Sequence, residues 1–334
     1  FVLSLSKGES GPILNQFKAL QIEFISLNQS RFKGLLFNRS IIQKILYDKQ
    51  IDIVHSNDFR SDMINAKLVN VITMNTIHNF PTEDYKNRYG KLIGSWMSMK
   101  HKNIIKDIQL PIACSKTVMK KFEEIYKIKT SFIQNGIDVE KFSPLTKDKN
   151  KLRKSLNLPV DGQIFIVSGA LSLLKNPKII IKAFQQQENK DSVLLFIGNG
   201  DLYNSLSSSY QSENIRFTGR VDNVKNYLQA IDFYISDSLT EGLPNSVLEA
   251  ISVGLPVILS KISPHVEIIG DNYPYLFDPD NSEDLNGKLN LIVQKENKLY
   301  SQTHSFKIKN HFSAHLMSDK YQQQYLSSIN SSKK

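Results

Sequence analysis

Two glutamates, eight residues apart, flank a short turn in the second half of the chain. Glu241 precedes a Gly-Leu-Pro-Asn turn and Glu249 follows it, within residues 238–260. A carboxylate accepts hydrogen bonds from the vicinal hydroxyls of a sugar, and each such charge-assisted bond contributes roughly 1.5–3 kcal/mol. The spacing therefore suits a ligand with hydroxyl groups at two separate points, although glutamates at this spacing alone are equally typical of a solvated helix surface.

The turn between the glutamates predicts the start of a helix. Pro244 lacks an N–H that would go unused in a first helical turn, and Gly254 suits the position after the last turn. The pattern therefore predicts a helix over 244–253, whose free N–H groups and dipole favour an anion. A nucleotide sugar, with a diphosphate between two hydroxyl-bearing rings, would satisfy both the amides and the glutamates.

Length and composition favour a two-domain α/β protein. The chain has 334 residues, of which 40% are hydrophobic and 22% charged, as in soluble globular proteins. Short runs rich in Ile, Val, Leu and Phe alternate with helical patterns such as 117–126, which predicts parallel sheets covered by helices. In the second half the predicted strands are 164–169, 193–198, 215–219, 233–238 and 256–260. The polar segment 143–151 predicts a linker between two such series. Open α/β sheets bind ligands beyond the carboxyl ends of their strands, so a cleft between the two domains is the expected site.

Charge and cysteine content narrow the classes of partner. The net charge is +10, and residues 1–150 hold 23 basic against 14 acidic side chains. A basic half favours an anionic partner such as a membrane surface, although a solvated basic surface gives the same count. No nucleic-acid recognition motif is visible, and no apolar window reaches the ~18 residues of a membrane span. The absence of a signal-peptide pattern and the single cysteine predict a cytoplasmic protein.

The segment EGLPNSVLEA resembles the E-x7-E region of the retaining family 4 glycosyltransferases, which have the GT-B fold. The resemblance covers nearly the whole chain and implies an α/β architecture of two Rossmann-like, doubly wound domains facing a cleft. It implies an acceptor-binding domain over 1–144, a nucleotide-sugar-binding domain over 150–310, and a helix over 311–330 that crosses back to the first domain. Family members usually begin with a further strand and Gly-rich loop, so we expect that these are either truncated or lost here.

The resemblance also assigns roles around the donor. Glu249 is expected to bind the nucleotide ribose, and Glu241 is expected to be catalytic by orienting the donor sugar. Lys175 matches the lysine that holds the diphosphate, whereas Ala170 stands where family members usually have an arginine, a role that Arg220 could fill. The expected donor-binding residues are Lys175, Gly198, Gly200, Gly219, Arg220, Val221, Gly242, Leu243, Pro244, Asn245, Ser246, Val247 and Glu249.

Residues of the first domain complete the expected site. His78 follows a predicted strand and is expected to be catalytic by lining the reacting face of the sugar, the alternative being a structural histidine. The expected acceptor-side residues are His55, Ser115 and Lys116. The resemblance also implies that no metal ion and no cofactor is needed. The acidic segment 278–284 looks like a metal site, but as a calcium loop it lacks the glycine at its sixth position and the glutamate at its twelfth.

These features predict transfer of a sugar from a nucleotide sugar to a saccharide acceptor, and the resemblance implies that the configuration is retained. The expected acceptor is lipid-linked, in bacterial surface polysaccharide synthesis at the inner face of the plasma membrane. The pattern over 90–106, which mixes Trp96 and Met99 with lysines, predicts a helix that either rests on an anionic membrane or packs into the core. Two alternatives stay open: a catalytically weak GT-B protein that binds nucleotide sugar or supports a partner, and a GT-B phosphorylase or epimerase.

Overall fold

The computed structural model describes residues 1–6, 12–28, 34–145, 148–187, 189, 191–294 and 298–332. The chain divides into two compact units. Unit 1 comprises Phe1–Ile77, Met99–Ile112 and Tyr325–Lys334, and unit 2 comprises His78–Ser98 and Ala113–Gln324. The domain boundaries expected near residues 144 and 150 stay a prediction, and residues 146 and 147 of the expected linker lie outside the described residues.

Strands and helices alternate along both units. The strands are β1 Val2–Ser4, β2 Phe24–Ser26, β3 Ile53–Ser56, β4 Ile72–Ile77, β5 Leu110–Ala113, β6 Ser131–Phe132, β7 Ile164–Ser168, β8 Val193–Ile197, β9 Ile215–Gly219, β10 Phe233–Ser236, β11 Val257–Ser260 and β12 Leu276–Phe277. The α-helices are α1 Pro12–Ala19, α2 Gly34–Asp48, α3 Phe59–Asn65, α4 Pro81–Lys106, α5 Lys116–Lys121, α6 Lys149–Ser155, α7 Pro177–Gln185, α8 Tyr203–Tyr210, α9 Val224–Ala230, α10 Asn245–Ser252, α11 Ser263–Ile269, α12 Ser282–Gln294, α13 Lys298–His311 and α14 Ala314–Ser332.

Unit 2 is built on a parallel sheet with the strand order β12-β11-β10-β7-β8-β9. Every residue of β7, β8, β10 and β11 is buried, which explains why these strands are continuous apolar runs in the sequence. Stacked aromatic rings join neighbouring strands, with 4.9 Å between the ring centroids of Phe165 and Phe233. The strand order reverses at β7, whose neighbours are β8 on one side and β10 on the other. Sheets of this kind bind ligands at that point.

Unit 1 contains two parallel strand pairs, β1 with β2 and β3 with β4. Buried polar side chains fill the carboxyl ends of β3 and β4. The Asp62 carboxylate contacts Ser56 Oγ at 2.6 Å, Asn75 Nδ2 at 3.0 Å and His101 Nε2 at 2.8 Å. These strand ends are thus occupied by side chains of the protein itself, which satisfies groups that would be costly to bury alone.

The long helix α4 carries an exposed apolar face. Its backbone kinks at Gly90, where φ is 77°, a conformation that favours glycine. After the kink Leu92, Ile93 and Trp96 are 89%, 60% and 55% exposed, whereas the helix buries Ile105 near its end. The Trp96 side of the predicted 90–106 helix is therefore not a core face. Of the helices in the described ranges, none has the length and apolar character needed to traverse a bilayer.

The last helix joins the two units along the chain. α14 begins in unit 2, and its residues from Tyr325 onward belong to unit 1. Within unit 1 the Tyr325 hydroxyl lies 2.7 Å from Nδ1 of His55 on β3. Ser313, the residue before the helix, packs closely against Gly136: a Cβ on Gly136 would stand 2.3 Å from the Ser313 carbonyl oxygen. Gly136 is therefore needed for close backbone packing at this point.

Candidate active site

The loops after β7 and β10 meet at the carboxyl edge of the unit 2 sheet. The β7 loop ends in a short 3₁₀ turn, Leu173–Lys175, and the β10 loop carries Glu241. The Lys175 ammonium forms an ion pair with Glu241 Oε1, and their side chains are 27% and 12% exposed. The sheet thus brings together the two charged residues that the sequence assigned to the donor diphosphate and the donor sugar.

The Glu241 carboxylate is held from one side only. Ser238 Oγ donates to Glu241 Oε1 at 2.7 Å, so the ammonium of Lys175 and this hydroxyl share the same acceptor oxygen. Glu241 Oε2 makes no hydrogen bond to any residue that the structure describes. One oxygen is therefore fixed by protein donors, and the other is available to accept from a ligand.

The turn after Glu241 lies directly against the backbone of His78. A Cβ on Gly242 would stand 1.7 Å from the His78 carbonyl oxygen and 2.8 Å from Cys114 Sγ, so no other residue fits without movement. The buried Cys114 thiol donates to the same carbonyl oxygen at 3.2 Å. Asn135 Nδ2 donates to the Leu243 carbonyl oxygen at 3.0 Å, which fixes the other side of the turn. His78 is exposed at the end of β4, beside this turn.

Helix α10 begins with an uncapped N-terminus beside the turn. It starts at Asn245, one residue later than predicted, and Pro244 occupies the N-cap position, where no side chain of the described residues caps the helix. Gly254 follows the helix with φ of 88°, as the sequence indicated. The N–H groups of Asn245 and Ser246 make no hydrogen bond within the described ranges, so they are available to an anion. Val247 and the turn residue Leu243 are buried.

Glu249 has a very different environment from Glu241. It lies on α10 beyond the first turn, and burial raises the pKa of its carboxyl to about 7, with Lys141 opposing the shift through its charge. Its carboxylate accepts no hydrogen bond from the residues described here. Asp237, at the end of β10, behaves similarly: burial raises its pKa to about 7, although Asn176 Nδ2 donates to it at 2.9 Å.

Three glycine-containing loops pack closely against one another at the ends of β7, β8 and β9. The Gly198 N–H donates to the Gly219 carbonyl oxygen at 2.8 Å. A Cβ on Gly198 would stand 2.0 Å from the Gly169 carbonyl oxygen, and one on Gly200 would stand 2.4 Å from that of Leu171. These glycines are therefore needed for close backbone packing, and they form one layer next to the Lys175 turn. Their predicted contacts with the nucleotide stay a prediction.

The residues that follow this layer are open to solvent. Arg220 is exposed and Val221 is half-buried directly after β9, and Ala170 is exposed on the β7 loop. A side chain longer than that of Ala170 would therefore meet no buried packing there. The expected role of Arg220, as a replacement for the arginine that family members usually have at Ala170, stays a prediction.

The acceptor-side residues Ser115 and Lys116 start helix α5. Ser115 is buried and caps the helix, since its Oγ accepts from the Val118 N–H at 3.0 Å. The N–H groups of Lys116 and Thr117 donate to the Glu267 carboxylate at 3.0 and 2.8 Å. Because Glu267 already occupies this helix N-terminus, the exposed Lys116 side chain is the part of the segment that a ligand can reach.

His55, the remaining acceptor-side candidate, is engaged within unit 1. Its Nδ1 lies 2.7 Å from the Tyr325 hydroxyl, and its Nε2 lies 2.7 Å from Thr76 Oγ1. Both ring nitrogens therefore have protein partners that tie β3 to β4 and to α14. This geometry gives His55 a structural task, and its acceptor role stays a prediction.

Glu83 is a site neighbour that sequence reasoning passed over. Its carboxylate, in the first turn of α4, binds Lys121 Nζ at 2.6 Å and also accepts from Thr240 Oγ1, next to Glu241. Glu83 and Glu267 were missed because their partners stand 38 to 157 positions away along the chain. Each of these glutamates lies shortly after a strand in the sequence, which is only a weak indication of a site residue.

Comparisons with known proteins identify the family of the chain. The family model "Glycosyltransferase Family 4" matches residues 5–141, and "Glycosyl transferases group 1" matches residues 148–308. The chain is 30% identical over 286 residues to the UDP-Gal:alpha-D-GlcNAc-diphosphoundecaprenol alpha-1,3-galactosyltransferase of Escherichia coli, covering 79% of this chain and 72% of that protein. The chain belongs to glycosyltransferase family 4. It is therefore an enzyme of the glycosyltransferase class, as the E-x7-E segment indicated.

Other relatives of this glycosyltransferase carry names from polysaccharide synthesis. It is 28% identical over 296 residues to the O-antigen biosynthesis glycosyltransferase WclY of Escherichia coli, covering 83% of this chain and 79% of that one. It is 25% identical over 288 residues to the capsular polysaccharide biosynthesis glycosyltransferase CapH of Staphylococcus aureus, covering 80% and 75%. The family 4 enzyme thus groups with bacterial glycosyltransferases of polysaccharide biosynthesis.

Solved structures confirm the predicted GT-B fold class. The glycosyltransferase of Rickettsia africae ESF-5 matches with a TM-score of 0.75 and 21% identity, covering 96% of this chain and 88% of that one. Anabaena HepE, solved in complex with UDP-glucose, matches with a TM-score of 0.81 and 16% identity, covering 95% and 90%. At these identities the likeness concerns the fold alone.

Proposed function

We propose that this glycosyltransferase moves a hexose from a UDP-sugar to a lipid-linked saccharide, with retention of anomeric configuration. The observation that carries the proposal is the Lys175–Glu241 ion pair beside the uncapped N-terminus of α10. The choice of a UDP-sugar and a lipid-linked acceptor is supported by the names of the galactosyltransferase relative and of the HepE complex. Retention is supported by the family resemblance of the E-x7-E segment.

The charges of the site suit a diphosphate leaving group. Lys175 and the free N–H groups of Asn245 and Ser246 would stabilise the negative charge that develops on the diphosphate as the sugar leaves. These positive groups do the work that a metal ion does elsewhere, so we propose transfer without a metal cofactor. Addition of EDTA should leave the rate unchanged, and a rate restored only by a divalent cation contradicts this part.

Donor binding exchanges partners within the ion pair. In the structure Lys175 and Glu241 form an ion pair with each other. A bound donor would give Lys175 a phosphate partner and give Glu241 the sugar hydroxyls, so neither charge is left unpaired. Glu249 would accept from the ribose hydroxyls, and the exposed His78 would line the reacting face beside Gly242. The acceptor hydroxyl would then attack on the face from which the diphosphate departs.

The donor is identified by a binding panel. UDP-galactose, UDP-glucose, UDP-N-acetylglucosamine and GDP-mannose are compared by thermal shift, followed by transfer assays on a polyprenyl-diphosphate-linked acceptor. The proposal expects stabilisation by a UDP-sugar and an axial anomeric product by NMR when the donor is axial. An inverted product contradicts retention, and a donor that is bound but never transferred favours the inactive alternative.

The exposed face of α4 supports a peripheral membrane location on the cytoplasmic side. Leu92, Ile93 and Trp96 are exposed on this helix, and residues 85–106 contain six basic and no acidic side chains. An apolar stripe flanked by lysines inserts into the interface of an anionic bilayer, where each basic residue contributes about 1 kcal/mol. Such a location would place the enzyme where a lipid-linked acceptor is found.

Vesicle binding tests the α4 face. Wild-type protein should sediment with phosphatidylglycerol-containing vesicles and not with phosphatidylcholine vesicles, and Leu92→Glu should abolish sedimentation. Leu20→Glu, at a leucine that is 69% exposed elsewhere, is the matched control and should sediment like wild type. Equal losses in both variants, or equal binding to both vesicle types, contradict the proposal.

A further inference from the structure

We propose that Ser238, Ser260 and His265 are positioning residues that fix the orientation of the Glu241 carboxylate, so that Oε2 is the oxygen presented to the donor sugar. The inference rests on the proposed function, in which Glu241 binds that sugar. It goes further by naming what holds the carboxylate and which of its oxygens the sugar meets. Each of the three residues is completely buried, so none contacts the ligand directly.

The direct link is the Ser238 hydroxyl. It donates to Glu241 Oε1 at 2.7 Å, on the same oxygen that pairs with Lys175. When a bound diphosphate draws Lys175 away, Ser238 remains the protein donor on that oxygen. A carboxylate held by a buried hydroxyl keeps its orientation while its ionic partner changes.

A second layer fixes Ser238 itself. Ser260, at the end of β11, donates from its Oγ to the Ser238 carbonyl oxygen at 2.7 Å. His265 Nδ1 lies 2.8 Å from the Ser260 carbonyl oxygen, which can only accept. Hydrogen bonds thus run from α11 through the ends of β11 and β10 to the catalytic carboxylate.

His265 suits this task because its proton is confined to one nitrogen. Burial lowers the pKa of its imidazole to about 4, so the ring is neutral near pH 7 and carries a single proton. The Ser260 carbonyl oxygen requires that proton on Nδ1, and buried Nε2 finds no hydrogen-bond partner in the described chain. His265 therefore holds the Ser260 carbonyl oxygen through one fixed N–H donor.

The first test separates sugar binding from nucleotide binding. The dissociation constants of UDP and of UDP-galactose, with UDP-glucose in a parallel series, are measured for wild type and Ser238→Ala. We expect the variant to bind UDP as wild type does, and to lose about tenfold in the additional affinity for the sugar and in kcat. Ser252→Ala is the matched control, because Ser252 is fully buried and its Oγ has no hydrogen-bond partner in the described residues.

The second test asks whether a hydrogen-bond donor is needed at position 265. His265→Asn places an amide N–H near the position of Nδ1 and should retain most of the wild-type kcat. His265→Leu keeps the volume but removes the donor, and should lower kcat several-fold in the same direction as Ser238→Ala. Rescue by asparagine and not by leucine is a result that a packing role does not give.

The outcomes distinguish this inference from the proposed function. If wild type binds neither UDP nor a UDP-hexose, both the proposed function and this inference are contradicted. If wild type binds both probes and Ser238→Ala weakens UDP and UDP-hexose equally, or neither, the positioning role is overturned while the proposed function stands. Equal kcat in His265→Asn and His265→Leu also overturns it, provided that circular dichroism shows both variants folded.

Discussion

The two glutamates of the E-x7-E segment are neighbours along the chain but have opposite surroundings. Glu241 lies in a loop at the strand-order reversal, where Lys175 and Ser238 both bind its Oε1. Glu249 lies on α10, where burial raises the pKa of its carboxyl to about 7, and no described residue donates a hydrogen bond to it. The protein therefore orients one carboxylate, whereas in the proposed function the other would receive its hydrogen-bond donors from the donor ribose.

In the proposed function, the two acids would contribute at different stages of the reaction. A pre-oriented, charged carboxylate can distinguish the transition state from the ground state, because its position is already fixed. A desolvated carboxylate gains most from binding itself, since ribose hydroxyls would satisfy a group that burial has left unpaired. We therefore expect substitutions at Glu241 to act mainly on kcat and those at Glu249 mainly on KM for the donor.

The largest expected effect follows from removing each carboxylate in turn. Glu241→Ala should lower kcat by roughly 100- to 1,000-fold, because the sugar loses its oriented acceptor and Lys175 loses its partner. Glu249→Ala should raise KM for the donor about tenfold and change kcat less. Steady-state kinetics on both variants measures these changes. If kcat and KM change in the same proportion in both variants, the two glutamates do not have different roles.

A substitution in the turn tests how far the loop position matters. Gly242→Ala drives a methyl group into the His78 carbonyl oxygen, so the Glu241 loop must move, and kcat should fall by at least about tenfold. Gly287→Ala in helix α12 is the control, since its Cβ would meet no atom within 4 Å. That variant should keep wild-type kcat and gain about 0.5–1 kcal/mol of stability. Wild-type kcat in Gly242→Ala would mean that the loop position is not critical.

The buried state of Glu249 predicts a pH dependence of donor binding. With its pKa at about 7, the carboxyl is largely protonated at pH 5.5 and ionised at pH 8.5. Because ribose hydroxyls favour the ionised form, donor affinity should fall about tenfold between pH 8.5 and 5.5. Glu249→Gln should bind more weakly throughout and lose most of this slope, as measured by isothermal titration. A slope that survives in the variant assigns the titration to Asp237, whose pKa is also about 7.

The same pKa has the opposite consequence for folding. The pKa of Glu249 rises from 4.5 to about 7 on folding, so its favourable contribution is present below about pH 4.5 and is lost as the pH rises through 7. Glu249→Gln should therefore increase the free energy of unfolding more at pH 8 than at pH 5, by a difference on the order of 1–3 kcal/mol, measured by denaturant unfolding at both pH values. A difference that is constant across this pH range contradicts the buried-acid interpretation.

The smallest expected effects concern the second cation of the diphosphate site. Ala170 is exposed on the β7 loop, so Ala170→Arg should be tolerated and should strengthen UDP binding about two- to fivefold. Arg220→Ala should weaken UDP binding by a similar factor if Arg220 supplies the missing charge. The double variant should bind UDP with wild-type affinity. If neither single variant changes the affinity for UDP, Lys175 is the dominant cation of the site.

The fold was largely readable from the sequence because buried parallel strands are continuous apolar runs. β7 to β11 were each predicted within two residues of their limits, and Gly254 marked the end of α10. β12 was missed because an edge strand of two residues leaves no such run. The helix predicted over 117–126 changes to a π-helical turn at Phe122–Tyr126, which helix propensity does not distinguish from an α-helix.

The site was only partly readable, since proximity along the chain and proximity in space diverge there. Lys175 and Glu241 were identified by their place in a motif, and the structure joins them across 66 positions. Ser260 is the last residue of a buried strand and His265 lies in the helix that follows it, so their hydrogen bonds to the neighbouring strand end were not visible in the sequence. Glu267 was out of reach, because its task depends on the distant N-terminus of α5.

The packing of Cys114 beneath Gly242 gives the molecule a built-in reporter of loop opening. It is the single cysteine of the chain, and burial raises the pKa of its thiol to about 12, so alkylating reagents meet neither an accessible nor an ionised sulfur while the turn is closed. The rate at which Cys114 is labelled in native buffer therefore reports how often the turn moves away from His78. A donor that holds the turn down should slow this chemical clock in proportion to its occupancy.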